Sequence, residues 1–421
     1  MHQPNFDALN LIEPLHRALR AQNYTVPTPV QSLAIPILLA GHDLMASAQT
    51  GSGKTAAFAL PMLQKLEAQR RRPGPKGVRA LVLAPTRELA AQIYESFGDY
   101  GRFLGIKKAV VYGGVGKKPQ IDALAPGVDV LVATPGRLLD LYGEHRLRLE
   151  AVEIFVLDEA DRMLDMGFIP DVRRIIELLP KKRQSLFFSA TLPEEVRRLA
   201  ASMLSEPKQV AVAPDSGQTP RIEQRVLFVD KESKTPLLLN LLEDPAIQRA
   251  LVFTRTKHRA NRLAEQLQKG RIKADAIHGN KTQSAREHAL EQFISGQIRV
   301  LVATDIAARG IDVDDISHVI NFELPNEPES YVHRIGRTAR AGKAGVAISF
   351  CDESESGYLR DIERLLDHSV PVARNHPFHS TVAAAVRPEV FARTGGRRSP
   401  TGGMLYGGGG RGRGRSLRGR R

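Results

Sequence analysis

A single cysteine, Cys351, leaves the chain unable to form an internal disulfide, which fits a reducing compartment. No apolar run approaches the roughly 18 residues that a bilayer-crossing helix needs. Residues 1–22 lack a basic stretch followed by an apolar one, so no secretory leader is expected. These absences set the expectation of a cytoplasmic protein. Histidine and cysteine never cluster at metal-ligand spacing, and no appended folded RNA-binding module is expected. One region lacks acid altogether: residues 393–421 hold nine arginines and no carboxylate, leaving only +5 of the net charge of +14 to the rest. Such a basic excess suits an anionic polymer or membrane as partner, or else serves solubility, and composition leaves both open.

What is present is the make-up of a globular protein, 42% apolar and 25% charged over 421 residues, enough for two ordinary domains and a tail. Short β-branched and aliphatic runs recur at 80–84, 128–133, 154–157 and 185–189, then at 226–229, 250–254, 299–303, 318–322 and 346–350. Amphipathic segments such as 87–97, 194–203 and 257–268 lie between them. Continuous apolar runs joined by helices predict an α/β fold, with parallel sheets covered on both faces. Turn-forming residues crowd 214–220, which predicts a linker between domains of about 1–213 and 221–370. After Pro371 the rhythm stops, and from Gly395 glycine and arginine dominate. A segment of that composition buries too little apolar surface to offset its ordering entropy, so 371–421 is expected to be a basic disordered tail.

Most polar signals stand where apolar runs end, at the carboxyl edge where an open parallel sheet takes its ligand. The sharpest is Ala48-Gln49-Thr50-Gly51-Ser52-Gly53-Lys54-Thr55. Its glycines let backbone N–H groups turn inward around phosphate oxygens, and a helix expected over 56–66 offers its positive end. Lys54 would reach the β- and γ-phosphates and Thr55 would bind Mg²⁺. Asp158-Glu159-Ala160-Asp161 follows the buried run 154–157. There Asp158 suits Mg²⁺, largely through water, and Glu159 suits orienting and deprotonating an attacking water.

Asp-Glu-Ala-Asp resembles the signature of the DEAD-box ATP-dependent RNA helicases, and further motifs of that family appear in order over roughly residues 6–350. The resemblance implies two tandem RecA-like domains that couple ATP hydrolysis to RNA clamping and to local, non-processive unwinding or ribonucleoprotein remodelling. Asn23–Gln31 resembles the Q motif, with Phe6 upstream; by that resemblance Gln31 bonds the adenine edge and Tyr24 or Phe6 packs on the base. Ser189-Ala190-Thr191 resembles motif III, so Ser189 and Thr191, with Asp161, would couple the carboxylate site to the domain interface. Thr191 also stands at capping-box spacing from Glu194. Tyr331–Arg340 resembles motif VI, whose arginines at 334, 337 and 340 would share one helical face. The resemblance makes Arg337 and Arg340 arginine fingers and turns His333 toward the DEAD residues. Ala303–Asp312 resembles motif V, with Asp312 on the ribose and Thr304 on RNA.

Pro85, Thr86 and Arg87, then Gly113 and Gly114, then Thr134, Pro135 and Arg137 resemble motifs Ia, GG and Ib. Arg255 with Gly279, and Gln283 with Arg286, resemble motifs IV and IVa. These hydroxyls, amides and guanidinium groups suit phosphates and sugars, include no aromatic reading platform, and imply little sequence specificity. The segments 253–258 and 276–281 resemble the bacterial RhlE-type group. A rival reading, an RNA scaffold or annealing chaperone that ATP merely times, draws on the Gly/Arg tail. Partners in ribonucleoproteins or RNA degradation stay open.

Overall fold

The computed structural model describes residues 5–48, 51–212, 222–308, 313, 316–339 and 344–386. The expectations for Gln49, Thr50, Asp312, Arg340, the linker and the Gly/Arg tail from 387 onward therefore lie outside the described residues.

Two parallel sheets organise what is described. The first is built from β1 (Leu44–Ser47), β2 (Val78–Leu83), β3 (Lys108–Val111), β4 (Val128–Ala133), β5 (Ile154–Leu157), β6 (Gln184–Ser189) and β7 (Lys208–Ala211), in the order β3-β4-β2-β5-β6-β1-β7. The second comprises β8 (Ile222–Phe228), β9 (Ala250–Phe253), β10 (Ala274–Ile277), β11 (Val300–Ala303), β12 (His318–Asn321) and β13 (Gly345–Cys351), in the order β10-β11-β9-β12-β13-β8. Every strand pair is parallel, as their crossover helices require. Inner strands such as β2, β4, β5 and β6 are buried at every position because helices cover both faces. Separate apolar clusters on the two faces of the first sheet, one around Phe58, Phe97 and Phe188 and one around Phe155 and Phe187, make this a three-layer sandwich.

Three expectations change. The helix after the phosphate loop runs from Lys54 to Ala68, so Lys54 and Thr55 sit inside its first turn. The helix of motif VI ends at Ile335, which leaves Arg337 in the turn beyond it and ends the shared helical face. The chain also keeps packing past Pro371. Val372 bridges Val226 on the edge strand β8, Ser380 N donates to Phe228 O at 3.0 Å, and a short helix, Thr381–Ala385, follows. An isolated bridge has no periodic apolar signal, yet it covers backbone that an edge strand would leave open.

Candidate active site and RNA interface

The first sheet aims its functional loops from the carboxyl ends of β1, β2, β4, β5 and β6. Gly51 (φ 80°) and Gly53 (φ 88°) take left-handed conformations that side chains resist, folding the loop inward ahead of Lys54. The Lys54 ammonium is buried and donates to the Ala48 carbonyl at 3.0 Å. Gln31 is buried too: its amide nitrogen donates to the Gly53 carbonyl at 3.1 Å and its oxygen accepts from Thr28 N at 2.9 Å. Here the Q motif is tied directly to the phosphate loop, and a Cβ at Gly53 would come within 2.4 Å of the Gln31 amide. Of the two aromatics proposed for the base, Phe6 is packed into the core at 3% exposure. Tyr24 keeps 43% of its surface, with its ring 6.2 Å from that of Tyr100.

The carboxylates follow β5 directly. Asp158 accepts from Glu159 N at 2.9 Å, and burial pushes its carboxyl above the usual range despite the pull of Lys54. Glu159 adopts φ 51° and ψ 54°, a left-handed conformation rare for a side chain with a Cβ and of the kind that collects at functional sites. Burial opposes ionisation of Glu159, but the Arg162, Lys54 and Arg337 charges hold its carboxyl below the usual range. It is therefore an anion at neutral pH. Its partner Arg162, three residues on and equally buried, is an ion-pair ligand that motif reading passed over, although helical i,i+3 spacing could have revealed it.

Asp161, Ser189 and Thr191 come together. Asp161 Oδ2 accepts from Ala190 N at 3.1 Å, Thr191 N at 2.8 Å and Thr191 Oγ1 at 3.0 Å, while Asp161 N donates to Ser189 Oγ at 3.2 Å. The capping expectation for Thr191 fails: the helix Glu194–Met203 has Pro193 at its N-cap, and the Thr191 hydroxyl is spent on Asp161.

The second domain closes the site from the other side. Arg337 is buried, donates to the His333 carbonyl at 3.2 Å, and is close enough to depress the carboxyl of Glu159. Burial, aided by Arg162 and Arg337, lowers His333 below the usual imidazole range against the opposing charges of Asp161 and Asp165. A neutral imidazole thus faces the DEAD helix. Arg334 is held instead within its own domain, in a bidentate pair with Asp305 at 2.5 and 2.7 Å.

A cavity of about 860 Å³ spans both domains. Pro85, Thr86, Arg87, Gly113, Thr134 and Arg137 line it from the first, and Gly279 and Arg286 from the second. Two pairs bridge the domains beside it, Arg87 to Gln283 at 3.4 Å and Arg286 to Glu88 at 2.7 Å. Gly114 has φ 79° and supports Arg87 so closely that a Cβ would lie 1.9 Å from its Nη1. Arg137 Nη1 and Arg286 Nε are buried with no acceptor, donors that an anion in the cavity would satisfy. Thr86 caps the helix Arg87–Tyr100, and Thr134 with Pro135 starts the helix Pro135–Gly143. Met166, Phe168, Asp171 and Arg174 also line the cavity. Sequence reading missed them because they lie past a short helix rather than at a strand end. Two residues do not join the group. Arg255 donates to Glu355 at 3.0 Å within the second domain, and Thr304 is buried at the end of β11.

Two family models match, "DEAD/DEAH box helicase" over residues 28–199 and "Helicase conserved C-terminal domain" over 233–342. The DEAD-box ATP-dependent RNA helicase CshA of Geobacillus kaustophilus is 44% identical over 359 residues, covering 85% of this chain and 76% of the relative. The chain belongs to the DEAD-box RNA helicases. The ATP-dependent RNA helicase RhlB of Xanthomonas axonopodis is 43% identical over 375 residues, 87% of this chain, and this DEAD-box chain spans 65% of that relative's length. Among solved structures, Saccharomyces cerevisiae Dbp5 bound to RNA and ADP-BeF3 matches at a TM-score of 0.78 and 32% identity, covering 88% of this chain and 95% of that one. The two RecA-like domains of the family are the two sheets described above. No helix among the described residues is long and apolar enough to cross a membrane.

Proposed function

We propose that this DEAD-box helicase hydrolyses ATP in the cleft between Lys54, Asp158 and Glu159 of one domain and Arg337 and His333 of the other, and that RNA in the shared groove drives closure. The observation that carries the reading is the split of both sites: Arg337 reaches the electrostatic range of Glu159, while Arg286 and Gln283 meet Glu88 and Arg87 beside the groove. Anything that docks the two domains completes the ATP site and the RNA site together, so conformation and chemistry are linked.

Turned by Gly51 and Gly53, the loop donates backbone N–H groups to the phosphates, and Lys54 exchanges the Ala48 carbonyl for a phosphate oxygen. The hard oxygens of Thr55 and Asp158 fit Mg²⁺, since Asp158 is a buried acid in want of positive charge; the ion would neutralise phosphate charge there. Glu159 orients the attacking water, and Arg337 meets the charge that develops on the transferred group. In the groove, Arg137 and Arg286 bind phosphates without reading bases. We also assign the chain to the RhlE-type group on segments 253–258 and 276–281, and to the cytoplasm, where ATP and RNA substrates meet.

The test is ATP turnover with matched RNA and DNA oligonucleotides, alongside displacement of a short duplex with and without ATP. RNA should stimulate turnover, and Glu159→Gln should lose about 10²–10⁴ of it while still binding ATP and RNA. Equal stimulation by DNA, or displacement that ignores ATP, would contradict the reading.

A further inference from the structure

The Glu159 carboxylate meets Arg162 in a buried ion pair, with side-chain exposures of 4% and 5%. Arg162 sits one turn into the short helix Ala160–Asp165, whose N-cap is Glu159 itself in the strained left-handed conformation. Arg162 also lines a small pocket with Asp305, Ser330, His333, Arg334 and Arg337 of the second domain. Among the described residues, it is the first domain's contribution to that lining.

The electrostatics of this contact are specific. Arg334 and Arg337 of the second domain line the same small pocket as the first-domain cation Arg162, and like charges so placed repel without nearby anions. Arg334 is neutralised by Asp305 at 2.5 and 2.7 Å. Arg162 is neutralised by Glu159. Pairing with the Glu159 carboxylate thus helps the closed cleft keep its charge balance, and the bond from Arg162 Nη1 fixes Glu159 Oε2.

We propose that Arg162 is a positioning residue that fixes the Glu159 carboxylate and makes that orientation depend on docking of the second domain. This rests on the helicase reading given above. It fits the chemistry of phosphoryl transfer, in which the transition state is loose and orientation of the attacking water counts for more than strength of the base. A rigid ion pair supplies orientation at the expense of basicity.

The experiment uses the full chain with Arg162→Gln, Arg162→Lys, Glu159→Gln and the double variant Arg162→Gln/Glu159→Gln. RNA-stimulated turnover, the KM for ATP and RNA affinity are measured, with single-turnover reactions at excess enzyme for the slow variants. Arg162→Gln should lower kcat by about tenfold to a hundredfold, a share of the typical general-base effect, with KM and RNA affinity within about threefold of wild type. Arg162→Lys should recover part of that loss, since it keeps the charge and loses the fork. On the Glu159→Gln background the Arg162 change should add little, because both act through one group. Additive losses in the double variant would overturn the proposal, as would a defect confined to KM or RNA affinity. A wild type without RNA-stimulated turnover would instead overturn the helicase reading beneath it.

Discussion

Ala339, two residues after Arg337, is buried with φ 58°, a backbone region that an L side chain enters at a cost of about 1–2 kcal/mol and glycine enters freely. Ala339→Gly should therefore relieve strain. After the extra unfolded-state entropy of glycine is set against it, the net gain should be about 0.5–1 kcal/mol. Urea denaturation is the check, and turnover should stay close to wild type because Arg337 keeps its turn. A loss of stability would mean that the methyl group packs well enough to outweigh the dihedral. Glu159 carries the same kind of strain, at φ 51°, but there it sits on the catalytic carboxylate. Neither conformation is written in the sequence, because non-glycine residues at positive φ follow no local pattern.

At the scale of elements, a buried charge cluster joins the start of the helix Lys234–Leu241 to the end of β13. Lys234 pairs with Asp352 at 2.9 Å and with Glu355, and Glu355 also meets Arg255 at 3.0 Å. Burial outweighs Lys234 in raising Glu355 above the usual carboxyl range, so this network depends on its lysine. Lys234→Met should destabilise the second domain by about 3–5 kcal/mol, the usual result of leaving buried charge without a partner. Adding Glu355→Gln should return part of that loss, and urea unfolding followed for both variants would show whether it does. Sequence signals for such a cluster are weak, since Lys234 and Glu355 lie 121 residues apart and Arg255 and Glu355 lie 100 apart. Most central strands, by contrast, were plain as continuous apolar runs. Those that escaped, β1, β3, β7 and β10, have four residues each: β1 and β3 alternate buried with half-buried positions, β7 buries one residue, and β10 is a short sheet edge. Half-covered strands carry a diluted signal. The catalytic loops were legible for the opposite reason: glycine, lysine and paired carboxylates at a strand end leave few alternatives. What the motifs did not disclose were the partners: Arg162 on Glu159, Glu88 on Arg286 and Glu355 on Arg255.

Across the whole molecule, charge is divided between a groove that is built and a segment that is merely basic. In the groove, guanidinium groups are placed by structure, with Arg87 laid over Gly114 and Arg137 held on the Val115 carbonyl at 3.1 Å. Beyond Ala392 the chain instead offers nine arginines without an acid among them, while every candidate catalytic residue lies at or before Arg340. We expect removal of residues 393–421 to weaken RNA binding and leave RNA-stimulated turnover intact at saturating RNA. The arginines add a sequence-independent attraction that comes from counterion release, so salt is the variable that isolates them. With a slope of about −0.7 per neutralised phosphate on single strands, nine contacts would bound the tail's share of log K against log salt at about −6. Glycine-rich chain holds nine contacts poorly, because each immobilised residue costs about 1–2 kcal/mol of backbone entropy. A slope change of about 2–4 is the expectation, read from RNA affinity titrated across salt for full-length and truncated protein. An identical slope in the two would assign the arginines to solubility or to a protein partner. A fall in turnover at saturating RNA would assign them to the catalytic cycle itself, since local concentration no longer limits the reaction there.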